Sequence, residues 1–380
     1  MKFVVSAVAG LIFLLAGSTP ANTVNTDPTP GGKPGGKIER SMPVNPELTV
    51  TLCVASGKLT VRGWDKNELR VRSTDAAQLE LRRLDKTKDE AVPAARVDVM
   101  VLDSTAKISA RAPVVDCQAL ADVEMEVPQG ATVQVQTRDG DISISGVSGA
   151  YAGSQNGSIE IARATKVIEA GSIGGSITLR DSSGRVILSS AGGNVEVVNV
   201  KAASTDDTLE VGTVSGDIQL QHVSNPKVMA KTVNGTVTMT GPLAHSGNYA
   251  FTNMTGDIIL ALPPDASFQL NAKVSEKRDI VSDFQLKYFN EMPPPPPATQ
   301  PGAAPADKPG AVPKPPTSGK APTAKAGQGP QKTGPIVSPV IVDSPVVNPY
   351  VLRRITAVCG SGDATISVAS FGGTVRLKKI

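Results

Sequence analysis

Chemistry in this 380-residue chain would have to come from a small set of side chains. Adjacent carboxylates at Asp206 and Asp207 could divide general acid and base work, the arrangement that glycoside hydrolysis needs. Two histidines, His222 and His245, have no acidic or cysteine neighbour at ligand spacing. Asp139, Asp141, Asp217 and Asp257 beside glycine turns are the carboxylates that could hold calcium through oxygen ligands. Three cysteines, Cys53, Cys117 and Cys359, are an odd number, which in an exported chain suggests one disulfide and one free thiol. Cys53 and Cys117 are the expected pair, since both flank early strands.

None of these sets is complete. Hydrolases built on β-helices carry further Asp, His, Arg and Lys on neighbouring levels, and no such motif accompanies Asp206-Asp207. The position after each glycine also accepts Ser158, Ser176, Asn194 and Thr236, so turn capping explains the aspartates better than calcium does. There is no Gly-x-Ser-x-Gly elbow, phosphate loop or His-Glu-x-x-His. The expectation is a chain with no catalytic residue, no cofactor and no metal site.

What those residues sit on is a repeat. Glycine-ended turns recur at Gly140, Gly157, Gly175, Gly193, Gly216, Gly235 and Gly256, in steps of 17, 18, 18, 23, 19 and 21 residues, with a further copy at Gly373. Asn-Gly, Asp-Gly, Ser-Gly and Gly-Gly favour turns with positive φ. After each comes one small polar residue and an alternating apolar pair: Ile142/Ile144, Ile159/Ile161, Ile177/Leu179, Val195/Val197, Ile218/Leu220, Val237/Met239, Ile258/Leu260. Period two means a strand with one buried face. Second short strands lie at Val133/Val135, Val186/Leu188, Leu209/Val211, Tyr249/Phe251 and Phe268/Leu270. One such unit cannot bury its apolar face alone, so the units must stack. The fold class is all-β, a β-solenoid; a β-sandwich is the rival, because evenly spaced strands suit it too.

Around the repeat the composition shifts. Residues 1–21 have signal-peptide grammar: Met1-Lys2, the apolar run Phe3–Ala16, then small residues. Residues 22–46 are a Pro/Gly/Thr/Asn-rich leader, 47–128 an N-terminal β region with a strand expected at Lys107–Ala110, and 129–291 the repeats. Residues 292–349 hold 17 of 30 prolines and five lysines, a tract expected to be a disordered spacer that interrupts the solenoid. Residues 350–380 return to repeat-like sequence and would close it. A net charge of +3 and no basic stripe with interleaved aromatics exclude nucleic acid as a partner. The run Phe3–Ala16 is short of the roughly 20 apolar residues that span a bilayer, and no other segment is apolar enough.

The Val61-Arg62-Gly63-Trp64-Asp65 turn, the Gly-Asp-Ile repeats, Leu262-Pro263-Pro264-Asp265-Ala266 and Asp279-Ile280-Val281-Ser282-Asp283-Phe284 resemble, in that order, a bacterial family of exported β-strand-repeat proteins labelled putative adhesins. The closing Gly360–Ile366 and Gly372–Leu377 are also similar. Ser275-Glu276-Lys277-Arg278 departs from it by lacking a glycine. The resemblance implies a β-helix-like solenoid acting at a surface or envelope, with no catalytic residues to carry over. The expected function is therefore non-catalytic binding or scaffolding, with an envelope polymer or protein as partner, in the periplasm or at the cell surface. Outward positions Ser143, Glu160, Thr178, Glu196, Gln219 and Thr238 should form a polar row suited to an extended ligand. Two alternatives are a β-helical polysaccharide lyase or hydrolase, and a periplasmic stress or signalling scaffold using the proline tract.

Overall fold

A computed structural model describes residues 37–74, 76, 78–85, 92–102, 117, 119–275, 280–289 and 352–380. The signal peptide, most of the leader, the strand expected at Lys107–Ala110, the turn at Glu276–Arg278 and the proline tract lie outside the described residues. Everything regular among the described residues is β-strand, 26 in all.

The chain is a two-sided solenoid. Each repeat contributes one strand to a front sheet, directly after its glycine turn, and one to a back sheet. Within each sheet consecutive repeats pair in parallel without a register slip: Ile142, Ile159, Ile177, Val195, Ile218, Val237 and Ile258 form one ladder. Val133, Ala150, Ile168, Val186, Leu209, Val228 and Tyr249 form its counterpart behind. All are buried. The β-branched side chains fill a pleated, one-faced strand well, and each side chain withdrawn from water contributes about 1.5–3 kcal/mol. This parallel, repeat-by-repeat progression makes the molecule a solenoid. A sandwich would fold its strands back antiparallel.

Order along the stack departs from order along the chain at both ends. The strand Ile38–Ser56 pairs on one side with Ala94–Leu102 and on the other with Thr132–Asp139. Its front partner Leu59–Trp64 lies likewise between Asp122–Pro128 and Ile142–Ser145. The far end mirrors this. Ala364–Ser370 sits between Asn248–Thr255 and Phe268–Ser275, and Val375–Lys379 between Ile258–Leu262 and Ile280–Ser282. The first and last parts of the described chain thus occupy the second level from each end. With levels about 4.8 Å apart, eleven parallel levels in the back sheet span on the order of 50 Å.

Antiparallel strands cover the ends. Glu68–Thr74 pairs with Asp122–Pro128, and Gln78–Arg83 with Ala94–Leu102, at one end. At the other, Leu352–Cys359 pairs with Phe268–Ser275. Among the described residues, regular structure begins at Ile38 rather than at Glu47, where alternation starts. The extra stretch is polar and lies antiparallel to Glu68–Thr74, with Glu39 ion-paired to Arg70 and Arg72 at 3.5 and 2.9 Å. Its strand character comes from a partner 30 residues away, so it left no apolar period to read.

Candidate functional site

The glycines come first because they fix the first corner. Gly57, Gly140, Gly157, Gly175, Gly193, Gly216, Gly235, Gly256 and Gly373 form one column, in which a Cβ on each from Gly140 onward would collide with the carbonyl oxygen of the glycine one level before. Only Gly57, Gly235 and Gly256 of these have φ in the left-handed range. At Gly140, Gly157, Gly175, Gly193, Gly216 and Gly373 it is therefore close backbone approach, and not a positive φ, that demands glycine.

A second column holds these turns from inside, and it was legible as a spacing. Three residues before each glycine from Gly140 onward stands Ser, Thr or Asn: Thr137, Ser154, Ser172, Ser190, Thr213, Thr232, Asn253 and Ser370. All are buried. Ser172 Oγ donates to the Gly157 carbonyl at 3.2 Å and accepts the Gly175 N–H at 2.9 Å, bridging two levels. Ser190 repeats this between Gly175 and Gly193, and Thr213 and Thr232 donate to the next carbonyls at 3.1 Å. Buried hydroxyls are as a rule hydrogen-bonded; at Ser172, Ser190, Thr213 and Thr232 they find the groups the glycine turn leaves open, while the Thr137 hydroxyl is buried without a partner.

The aspartates weighed for calcium serve the same corner. Asp141, Asp217 and Asp257 accept the backbone N–H of Ser158, Thr236 and Thr374 on the adjoining level, at 2.7–2.8 Å. Asp139 is held by Arg138 at 2.7 Å, and the hydrogen bonds from Arg138 and Asn156 keep its carboxyl below the usual range. Asp207 accepts the N–H groups of Ala203 and Ser204 at 2.8 and 2.7 Å, capping an exposed turn. His245 pairs with Asp363 at 2.9 Å on the surface. Cys53 and Cys117 stand as disulfide partners with Cα atoms 5.1 Å apart, while Cys359 is a free thiol whose titration burial pushes up.

The row Ser143, Glu160, Thr178, Glu196, Gln219, Thr238 is a physical one: each member is the register partner of the next on the front sheet's outer face. Arg180 reaches to Glu196 on the adjoining level at 2.9 Å.

Beside that face lies a feature that sequence reasoning missed. Where each front strand ends, the chain turns a second corner. The corner residue is Gly146 or Gly241 on the outer of six adjoining levels, both with positive φ. On the four levels between, it is Arg163, Asp181, Asn199 and His222, with φ of 50–56°. A left-handed backbone costs a side-chain-bearing residue on the order of 1–2 kcal/mol relative to glycine, less for Asn, Asp and His. Two residues on stands a second column: Thr165, Ser183, Lys201 and Ser224. Between the columns, Ala164, Ser182 and Val200 form a buried floor. The result is a polar groove of about 570 Å³ running along the solenoid axis. Asn199 Nδ2 donates to Asp181 Oδ1 at 3.0 Å. Only the positive φ marks these residues out, and φ is not visible in a sequence.

No curated protein matches the chain. A crystal structure of a putative cell adhesion protein from Clostridium sporogenes aligns over 91% of this chain and 100% of its own at 10% identity, with a TM-score of 0.18. One of a putative adhesin from Parabacteroides merdae aligns over 60% of this chain and 90% of its own, also at 10% identity, with a TM-score of 0.34. Neither likeness is close enough to carry an argument. The family described as Toastrack DUF4097 matches residues 57–290, more than half of the chain. The chain belongs to the Toastrack DUF4097 family.

Proposed function

We propose that this protein is a non-catalytic binding module of the bacterial envelope, adhesin-like, which lays an extended polymer or protein segment along its solenoid. The observation that carries this reading is the front face: polar side chains in strict register over six levels, with a parallel groove beside them. Extended ligands match extended, repeating surfaces. The candidate carboxylates support binding over catalysis, because Asp207 already caps a turn and Asp141, Asp217 and Asp257 already cap neighbouring levels.

Export to the periplasm or cell surface is part of the proposal. The signal-peptide grammar of residues 1–21 supports it, as does the pairing of Cys53 with Cys117, a bond that persists in oxidising compartments. No helix among the described residues is long and apolar enough to cross a membrane.

The test is retention without turnover. Purified full-length protein is incubated with isolated envelope polymers and with a panel of neutral and anionic polysaccharides. Sedimentation reads binding, and reducing-end and ultraviolet assays read cleavage. Binding without new chain ends is expected. Release of reducing or unsaturated ends would replace this reading with that of a lyase or hydrolase.

A further inference from the structure

The groove at the second corner carries an inference of its own, one that rests on the binding reading above and gives it a ligand class. We propose that it binds a linear acidic glycan, with Arg163 and Lys201 holding the anions.

Three observations lead there. The first is residue choice. Glycine takes this corner without strain on the flanking levels at Gly146 and Gly241, yet the four levels facing the groove keep side chains at φ of 50–56°. Residues held in sparsely populated backbone regions concentrate where a ligand is gripped. Arg163 is the telling member, because arginine lacks the local hydrogen bonding that eases Asp, Asn and His into this conformation.

The second is charge. Arg163 and Lys201 line the groove, are exposed, and form no ion pair among the described residues, although ion pairs are common elsewhere on this surface. The one lining carboxylate, Asp181, is engaged by Asn199. The groove therefore sets two cations without ion-pair partners against one carboxylate, a net positive charge.

The third is spacing. Arg163 and Lys201 are two levels apart, about 10 Å along the axis, and between and around them lie the hydrogen-bonding groups Thr165, Ser183, Asn199 and Ser224. This pattern suits a narrow chain bearing hydroxyls throughout and an anion every second unit or so. It does not suit single-stranded nucleic acid, which stacks successive bases on several aromatic platforms; His222 is the one aromatic ring in the groove lining.

The experiment uses full-length protein and polygalacturonate as probe, with dextran and single-stranded DNA alongside, at low and high salt. Binding of polygalacturonate is expected to weaken at high salt, to fall at least tenfold in Lys201→Ala and Arg163→Gly, and to be absent for dextran. Arg163→Gly should melt no lower than the parent, because glycine relaxes the corner; a residue kept for the fold alone would give the reverse. Unchanged affinity in both variants, no binding at any salt, or equal binding of DNA would each overturn the proposal. The envelope-binding reading fails separately, if the parent protein also stays in the supernatant when isolated envelope polymers are sedimented.

Discussion

At the scale of the residue, glycine plays two different parts in this molecule. Gly175 sits where an added Cβ would strike the Gly157 backbone, and backbone cannot step aside as a flexible side chain can. Gly171, four residues earlier in the back strand, has only Ser189 near, its Oγ at 3.5 Å and its carbonyl oxygen at 4.0 Å, both ordinary contacts. Gly175→Ala should therefore lower stability by about 2–3 kcal/mol through overpacking. Gly171→Ala should be neutral or stabilising by about 0.5 kcal/mol, from reduced freedom of the unfolded chain. Urea titration of the two variants checks this, and equal losses would contradict it. The repeat glycines were plain in the sequence, but their reason was not. A turn signal such as Asn-Gly points to positive φ, whereas the stacked backbone demands glycine whatever the φ. Ser172 and its equivalents were legible too, three residues ahead of each glycine. They went unread because an isolated serine before a turn looks like surface.

Elements at the N-terminal end add polar anchors to their buried apolar side chains. Burial pushes the Asp85 carboxyl up, but the Ala95 N–H at 3.0 Å and Arg83 at 3.0 Å outweigh it and hold it below the ordinary range. A carboxyl depressed in the folded state stabilises above its unfolded pKa, and the contribution is lost as pH falls through the folded one. Stability should thus decline from about pH 4 downward, and Asp85→Asn should lower stability at neutral pH while flattening that acid limb; pH-dependent melting of the two proteins measures it. Cys53 and Cys117 tie the same end together across 64 residues of sequence. Chain-entropy reasoning gives such a link about 4 kcal/mol. Cys53→Ser should accordingly lower the denaturation midpoint strongly, and mass measurement with and without reductant should show one bond and one free thiol, Cys359. A parent protein carrying three free thiols would refute the pairing. The polar opening of the first strand illustrates what hides at this scale: Ile38–Pro43 is a strand because Glu68–Thr74 is there to pair with it, not because its own residues alternate.

For the whole molecule, the decisive fact is that the last level in sequence is not the last in space. Ala364–Ser370 and Val375–Lys379 each have a neighbour on both sides, so they are interior. Ending the chain after Val351 would strip a full level from inside the stack. It would expose Tyr249, Phe251, Ile258 and Leu260 on one side and Phe268 and Leu270 on the other, all of them buried in the intact fold. Such a truncation should lose the cooperative thermal transition and aggregate, where loss of a mere end cap would cost a few degrees. A truncated protein that melts near the parent would rule out the interleaved order.

By itself the sequence determined that this protein is a stack of two-stranded β repeats, since the glycine phase and the period-two apolar pairs are local and self-declaring. Which level lies beside which was decided only in the tertiary structure. Repeats with the same pattern are interchangeable partners by any local criterion, and the choice among them rests on contacts between residues from 47 to 117 positions apart. The groove has the same origin. Arg163, Asp181, Asn199 and His222 are four unrelated residues in the chain, and only a shared corner, a left-handed backbone and the stacking of levels make them one surface.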